Sequence, residues 1–253
     1  PKKEPSMRIR ELTKEEREYK DSILGIRTIT IPKGDFTKAN SYAIQQLYCE
    51  HYFKNINQSE LLTDSEVNVT NLNALIRKIK QSGKFEDIFN YKPEGMGPGE
   101  VMMYFLIADG HLGGQNERGD LTVGTTKYEV KVPEILADGR TANDVRIAGG
   151  GGTPLMRQVM TELTDIERKL KISGGLKYSN LKIMEKAEPE AYRLMEDKFR
   201  KGVAEYFSGK KVIIIRGNGS ERGQVMKIID KVTEDMVSLY RVTGSEFKAT
   251  IKL

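Results

Sequence analysis

Cysteine is almost missing from this 253-residue chain: Cys49 stands alone, so no disulfide can form within it. That suits a reducing compartment, and a cytoplasmic protein is expected. Histidine is nearly as scarce. With His51 and His111 the only imidazoles and one thiol in total, a Cys/His zinc site lacks ligands. Tryptophan is absent. No apolar run approaches the ~20 residues that cross a bilayer, so no membrane association is expected. The opening Pro1-Lys2-Lys3-Glu4-Pro5 has no secretory-signal pattern and reads as a solvated arm. Nucleotide motifs are missing too. Ser208-Gly209-Lys210 lacks the upstream glycine of a Walker A loop, and no Gly-x-Gly-x-x-Gly follows a strand, so no nucleotide cofactor is expected. There is no Gly-x-Ser-x-Gly elbow.

What is present is charge, at 30% of residues, with a formal excess of +5 and a pI near 9.0. A modest positive excess admits a polyanionic partner without demanding one. The length suits one elaborated domain or one domain with additions.

The first ninety residues read as mainly helical. Leu12 to Ile23 opens on Thr13 with Glu16 three positions on, a capping-box spacing. Arg27 to Pro32 reads as a short strand stopped by proline. Thr37 to Lys54 and Asn71 to Gln81 read as helices, the second with Leu72, Leu75, Ile76 and Ile79 on one stripe. Cys49 falls in the first of these helices as a packing residue. Gly97-Pro98-Gly99-Glu100 then starts a helix through Ala108 that is apolar nearly all round and is expected to be buried. Further helices are expected from Pro154 to Lys171 and from Ile183 to Phe207, the latter breaking near Pro189. Lys211 to Arg216 reads as a buried strand. Val225 to Val232, Met236 to Val242 and Phe247 to Leu253 form a β-rich tail. The order helix, hairpin, helix, strand predicts an α/β protein with a central sheet.

The most informative stretch runs from Gly119 to Val132. Leu121 and Val123 alternate with Asp120 and Thr122, a Gly-Thr-Thr turn follows, and Tyr128, Val130 and Val132 alternate with Lys127, Glu129 and Lys131. Strand side chains alternate between faces, so Asp120, Glu129 and Lys131 share the polar one. A register with Val123 facing Tyr128 also sets Asp120 opposite Lys131. Two carboxylates and an ammonium in one patch can hold Mg²⁺ and act on a phosphodiester.

An acid on a helix, then Asp, then Glu-x-Lys on the next strand resembles the PD-(D/E)XK nuclease superfamily, which includes restriction enzymes, Holliday-junction resolvases and phage exonucleases. Here the matching residues are Glu100, Asp120, Glu129 and Lys131, with Gly119 in place of the family's proline, and the resemblance runs from Gly95 to Arg216. The Gly-Pro-Gly-Glu helix start and the later glycine run also resemble nucleases and packaging proteins of tailed phages. The resemblance implies a restriction-endonuclease-like mixed central β-sheet flanked by helices over 91–216, preceded by a helical region over 1–90 and followed by a β-rich extension over 217–253. It implies that Asp120, Glu129 and the main-chain carbonyl of Val130 hold Mg²⁺, for which Mn²⁺ substitutes, and that Glu100 binds through water or completes a second metal site. Lys131 would orient the attacking water or offset charge in the transition state. The implied function is Mg²⁺-dependent DNA endonuclease activity, in the cytoplasm or associated with a virion. A non-cutting DNA-binding or virion-assembly protein on the same scaffold is the alternative, and RNA as substrate stays open.

Other Glu-x-Lys spacings compete. Glu18-Tyr19-Lys20 and Glu196-Asp197-Lys198 fall in helical runs, where residues two apart face different ways. Glu246-Phe247-Lys248, with Asp235 upstream, lies on a strand and is the real rival. Arg140, Arg146 and Arg157 flank the Gly149 to Gly152 run, where backbone amides and guanidinium groups could bind DNA phosphates. Because one site cuts one strand, a homodimer through the helical N-terminal region is expected for double-strand cleavage.

Overall fold

The computed structural model describes residues 61–83, 85–89, 97–107, 110–112, 119–147, 153–244 and 246–253. The elements expected at Leu12 to Ile23, Arg27 to Pro32 and Thr37 to Lys54, together with Cys49, His51 and the Gly149 to Gly152 run, lie outside these residues. The chain divides into two compact units, one ending at Gly124 and the other starting at Thr125. Both helices and sheets are present, so the protein is mixed α/β. Among the described residues no helix is long and apolar enough to cross a membrane.

In the first unit a 3-10 turn, Asp64–Glu66, leads into α1 (Val69–Gln81). The helix starts two residues before the sequence suggested because Asn68 caps it, its Oδ1 accepting the Asn71 amide at 2.9 Å. Leu72, Leu75, Ile76 and Ile79 are all buried, as their spacing requires. A short helix α2 (Phe85–Phe89) follows, its two phenylalanines stacked at 5.1 Å. Helix α3 (Pro98–Leu106) has proline in its first turn and buries Val101, Met102, Met103 and Leu106, as its composition predicts. Strand β1 (Gly110–Leu112) runs antiparallel to β2 (Leu121–Val123), with Gly110 facing Val123.

One expectation needs correction at the end of β2. The turn after Val123 is the two-residue Gly124-Thr125, with Gly124 at φ 57°, before strand β3 starts at Thr126. A register of Val123 with Tyr128 needs four loop residues, so the longer Gly-Thr-Thr turn does not form. A tight two-residue turn needs a residue with positive φ, and Gly124 supplies it.

The second unit contains β3 (Thr126–Lys131), β4 (Glu134–Ile135), β5 (Thr141–Ile147), α4 (Pro154–Leu170), α5 (Tyr178–Ala187), α6 (Pro189–Tyr206), β6 (Lys211–Ile215), β7 (Val225–Ile229), β8 (Val237–Thr243) and β9 (Glu246–Lys252). Thr153 caps α4, and the chain breaks at Glu188 so that Pro189 opens α6, where its missing N–H costs nothing. Strand β6 lies parallel to β3, Glu129 level with Val212, and antiparallel to β7. Parallel neighbours need a long crossover, which the segment containing α4, α5 and α6 supplies. Val212, Ile213, Ile214 and Ile215 are all fully buried, the pattern of a strand covered on both faces. A second, antiparallel sheet has the order β4-β5-β9-β8. The C-terminal strands are thus divided between the two sheets of this unit. Val159, Leu163, Met195, Phe199 and Val203 of the helices share one core with Val212, Ile214, Ala249 and Ile251.

The ends of β3 and β6 are tied together. Gly217 donates its amide to the Pro133 carbonyl at 2.8 Å, and the Asn218 side chain accepts from the Ile135 amide and donates to its carbonyl. A Cβ at Gly217 would lie 2.8 Å from the Pro133 oxygen and 2.9 Å from that of Val132, both backbone atoms. Gly217→Ala is therefore expected to destabilise the protein by about 1–3 kcal/mol, the usual range for overpacking. Urea unfolding of the variant against wild type measures it, and an unchanged midpoint would contradict the close approach.

Candidate functional site

Strand β3 places Glu129 and Lys131 on one face, because residues two apart along a strand point the same way. Lys131 Nζ lies 2.8 Å from Glu129 Oε1. The alternating pattern suggested an open, polar face, but Glu129 is only 3% exposed. Two groups from the α6–β6 connection account for its company. The Tyr206 hydroxyl donates to Oε1 at 2.7 Å, and Lys210 Nζ donates to Oε2 at 2.7 Å. Glu129 and Lys210 are the buried charged side chains among the described residues, and they are paired with each other.

The backbone explains how Lys210 arrives there. Helix α6 ends at Tyr206, Gly209 turns the chain at φ 74°, and the Lys210 amide donates to the Phe207 carbonyl at 3.1 Å. The next residue, Lys211, enters β6 level with Tyr128. Lys210 therefore stands beside β3 at the height of the site. Successive side chains then diverge: Lys210 turns inward to Glu129, while Lys211 reaches outward to Asp230 at 2.8 Å. The Tyr206 ring lies under both site lysines, its centroid 4.2 Å from Lys210 Nζ and 6.0 Å from that of Lys131. A ring face attracts such cations.

Burial works to raise the Glu129 pKa, but the Lys131 and Lys210 ammonium groups outweigh it and hold the carboxyl at about 2, against an ordinary 4.5. The group is thus ionised, with one carboxylate facing two ammonium groups.

The other expected site residues are placed as follows. Glu100, in the first turn of α3, accepts the Gly97 amide through Oε1 at 2.9 Å and so caps its own helix. Asp120 is half-buried in the bend just before β2. Val130 is buried on β3, as is Tyr128. Arg140 pairs with Asp138 at 2.7 Å, Arg146 lies on β5 and pairs with Glu246, and Arg157 is exposed on the first turns of α4. The rival motif divides its residues. Glu246 goes to Arg146 and Lys248 to Asp144 at 3.1 Å, while Asp235 sits in the 3-10 turn Glu234–Met236. Among the described residues no three His, Cys, Asp or Glu side chains are gathered in one place. Tyr206 and Lys210 were not foreseen, since each lies about 80 residues from Glu129 in the chain (77 and 81). In comparisons with known proteins, no family model, no curated protein and no solved structure matches this chain.

The lowered pKa has a sign that can be checked. Stability from the ionised Glu129 is fully present above its unfolded value near 4.5 and is lost as the pH falls towards about 2. Glu129→Gln should cost about 3–5 kcal/mol at neutral pH, because Lys210 is left buried without its carboxylate. The deficit should shrink as the pH falls through that window. Urea melts of both proteins between neutral and acidic pH test this, and a deficit that does not change with pH would refute it.

Proposed function

We propose that the protein is a Mg²⁺-dependent nuclease acting on DNA phosphodiester bonds, with Glu129 and Lys131 in its site. The observation that carries this reading is a buried, ionised carboxylate bonded to a lysine two residues further along the same strand. Burying charge is costly, and strongly shifted carboxylates concentrate where chemistry is done. The succession of helix α3, strands β2 and β3, helix α4 and a strand β6 parallel to β3 supports it as well.

The donor set suits a hard dication in one respect. Mg²⁺ prefers charged oxygen ligands, and Glu129 is ionised at any ordinary pH. Glu129 and the main-chain carbonyl of Val130 would hold the ion, and the sequence resemblance adds Asp120 and Glu100. When bound, Mg²⁺ polarises a phosphoryl oxygen and lowers the pKa of a bound water. Lys131 would then orient the attacking water or offset negative charge on the reacting phosphate.

A second reading rests on a different observation. Two ammonium groups facing one carboxylate leave a positive surplus, which attracts phosphate without any metal. On that reading the protein binds DNA, or takes part in virion assembly, without cutting.

Supercoiled-plasmid cleavage separates the two readings. Wild type is expected to cut with Mg²⁺ and to stop with EDTA, and Lys131→Ala and Asp120→Ala are each expected to slow cutting by about 10²–10³-fold. Equal cutting by wild type and both variants would mean the activity arises elsewhere. Salt-sensitive binding with no cutting and no divalent-ion dependence would support the binder.

A further inference from the structure

We propose that Lys210 is the positioning residue of this site: it fixes Oε2 of Glu129 and leaves Oε1 as the oxygen that exchanges partners with an incoming divalent cation. The proposal rests on the reading of Glu129 as a metal ligand and adds to it a residue outside the strand motif.

Three observations support the assignment. The two oxygens of Glu129 have different partners, with Lys210 alone on Oε2 and both Lys131 and the Tyr206 hydroxyl on Oε1. The two lysines also differ in access. The Lys131 side chain is 16% exposed and that of Lys210 6%, so Lys131 has solvent to move into and Lys210 does not. Finally, Lys210 is held from behind: the Tyr206 ring faces its ammonium at 4.2 Å and the Phe207 ring lies at 5.7 Å. If Lys131 swings away, Glu129 still has one ammonium partner, and its carboxylate plane stays fixed by the bond at Oε2. The exchange is then one cation for another at a single oxygen.

The test uses Mn²⁺ as the probe, with calorimetry and lysine acetylation read by mass spectrometry. In wild type, saturating Mn²⁺ should raise acetylation of Lys131 several-fold and leave Lys210 protected. Lys210→Met should weaken Mn²⁺ binding by about 10–100-fold, the range typical of groups that orient metal ligands. Lys210→Arg, which keeps the charge and the donor, should recover most of that loss. A merely nearby positive charge would behave in the opposite way, because its removal should tighten cation binding. Unchanged or tighter binding by a folded Lys210→Met protein therefore overturns the proposal. If that variant does not fold, the wild-type labelling decides: reactivity appearing at Lys210 instead of Lys131, or at neither while Mn²⁺ binds, overturns it. Wild type that takes up no Mn²⁺ at all removes both this proposal and the metal-site reading beneath it.

Discussion

The buried pair Glu129–Lys210 is the constraint around which the second unit's site is built. It joins the middle of β3 to the residue just before β6, two points that the parallel pairing already brings side by side. Removing either partner strands a charge in the interior, whereas an apolar pair of similar volume can be equally stable. Stability alone is therefore a poor reason for such a pair. A carboxylate kept ionised, with one oxygen held by an inner ammonium and the other shared with an outer one, is better explained by chemistry at that oxygen.

A second cluster in the same unit gives a useful contrast. Asp144 also faces two cations, with Arg241 on both of its oxygens at 3.0 and 2.8 Å and Lys248 at 3.1 Å. The charge ratio is the same, but the setting is not. Arg241 is 40% exposed, and Asp144 sits at φ 62° where the pairing of β5 with β9 slips register. Bulges re-aim strands and break ladders, and here ion pairs brace the irregularity. Water screens this cluster, so its charges require no further explanation. Burial, more than composition, separates the two cases.

Much of this architecture can be read directly from residue order. The stripe of α1, the buried α3, the break before Pro189 and the apolar β6 all follow from local periodicity and proline chemistry. Short elements could not be read in this way. Strand β4 has two residues and β1 three, too few for alternation to register, and Asp144 interrupts the period of β5. For the site, the spacing of Glu129 and Lys131 correctly put both on one face, but it misjudged that face as open. Its cover comes from Tyr206 and Lys210, distant in the chain. Nothing local tells Lys210 from Lys211, although one is buried and the other lies at the surface. Glu100 shows the opposite limit: its position favours helix capping and acid chemistry equally, and the structure shows it capping Gly97.

The Gly217–Pro133 and Asn218–Ile135 bonds lock the far ends of β3 and β6, while the Glu129–Lys210 pair holds them near the site. Anchored at both heights, this pair of strands has little freedom to flex when something docks beside Glu129. Accommodation must then come from rotamer changes in side chains such as Lys131, which in exposed residues take picoseconds to nanoseconds rather than the far longer times of segment motion. The pocket would thus respond to its guest as a stiff frame with one hinged latch.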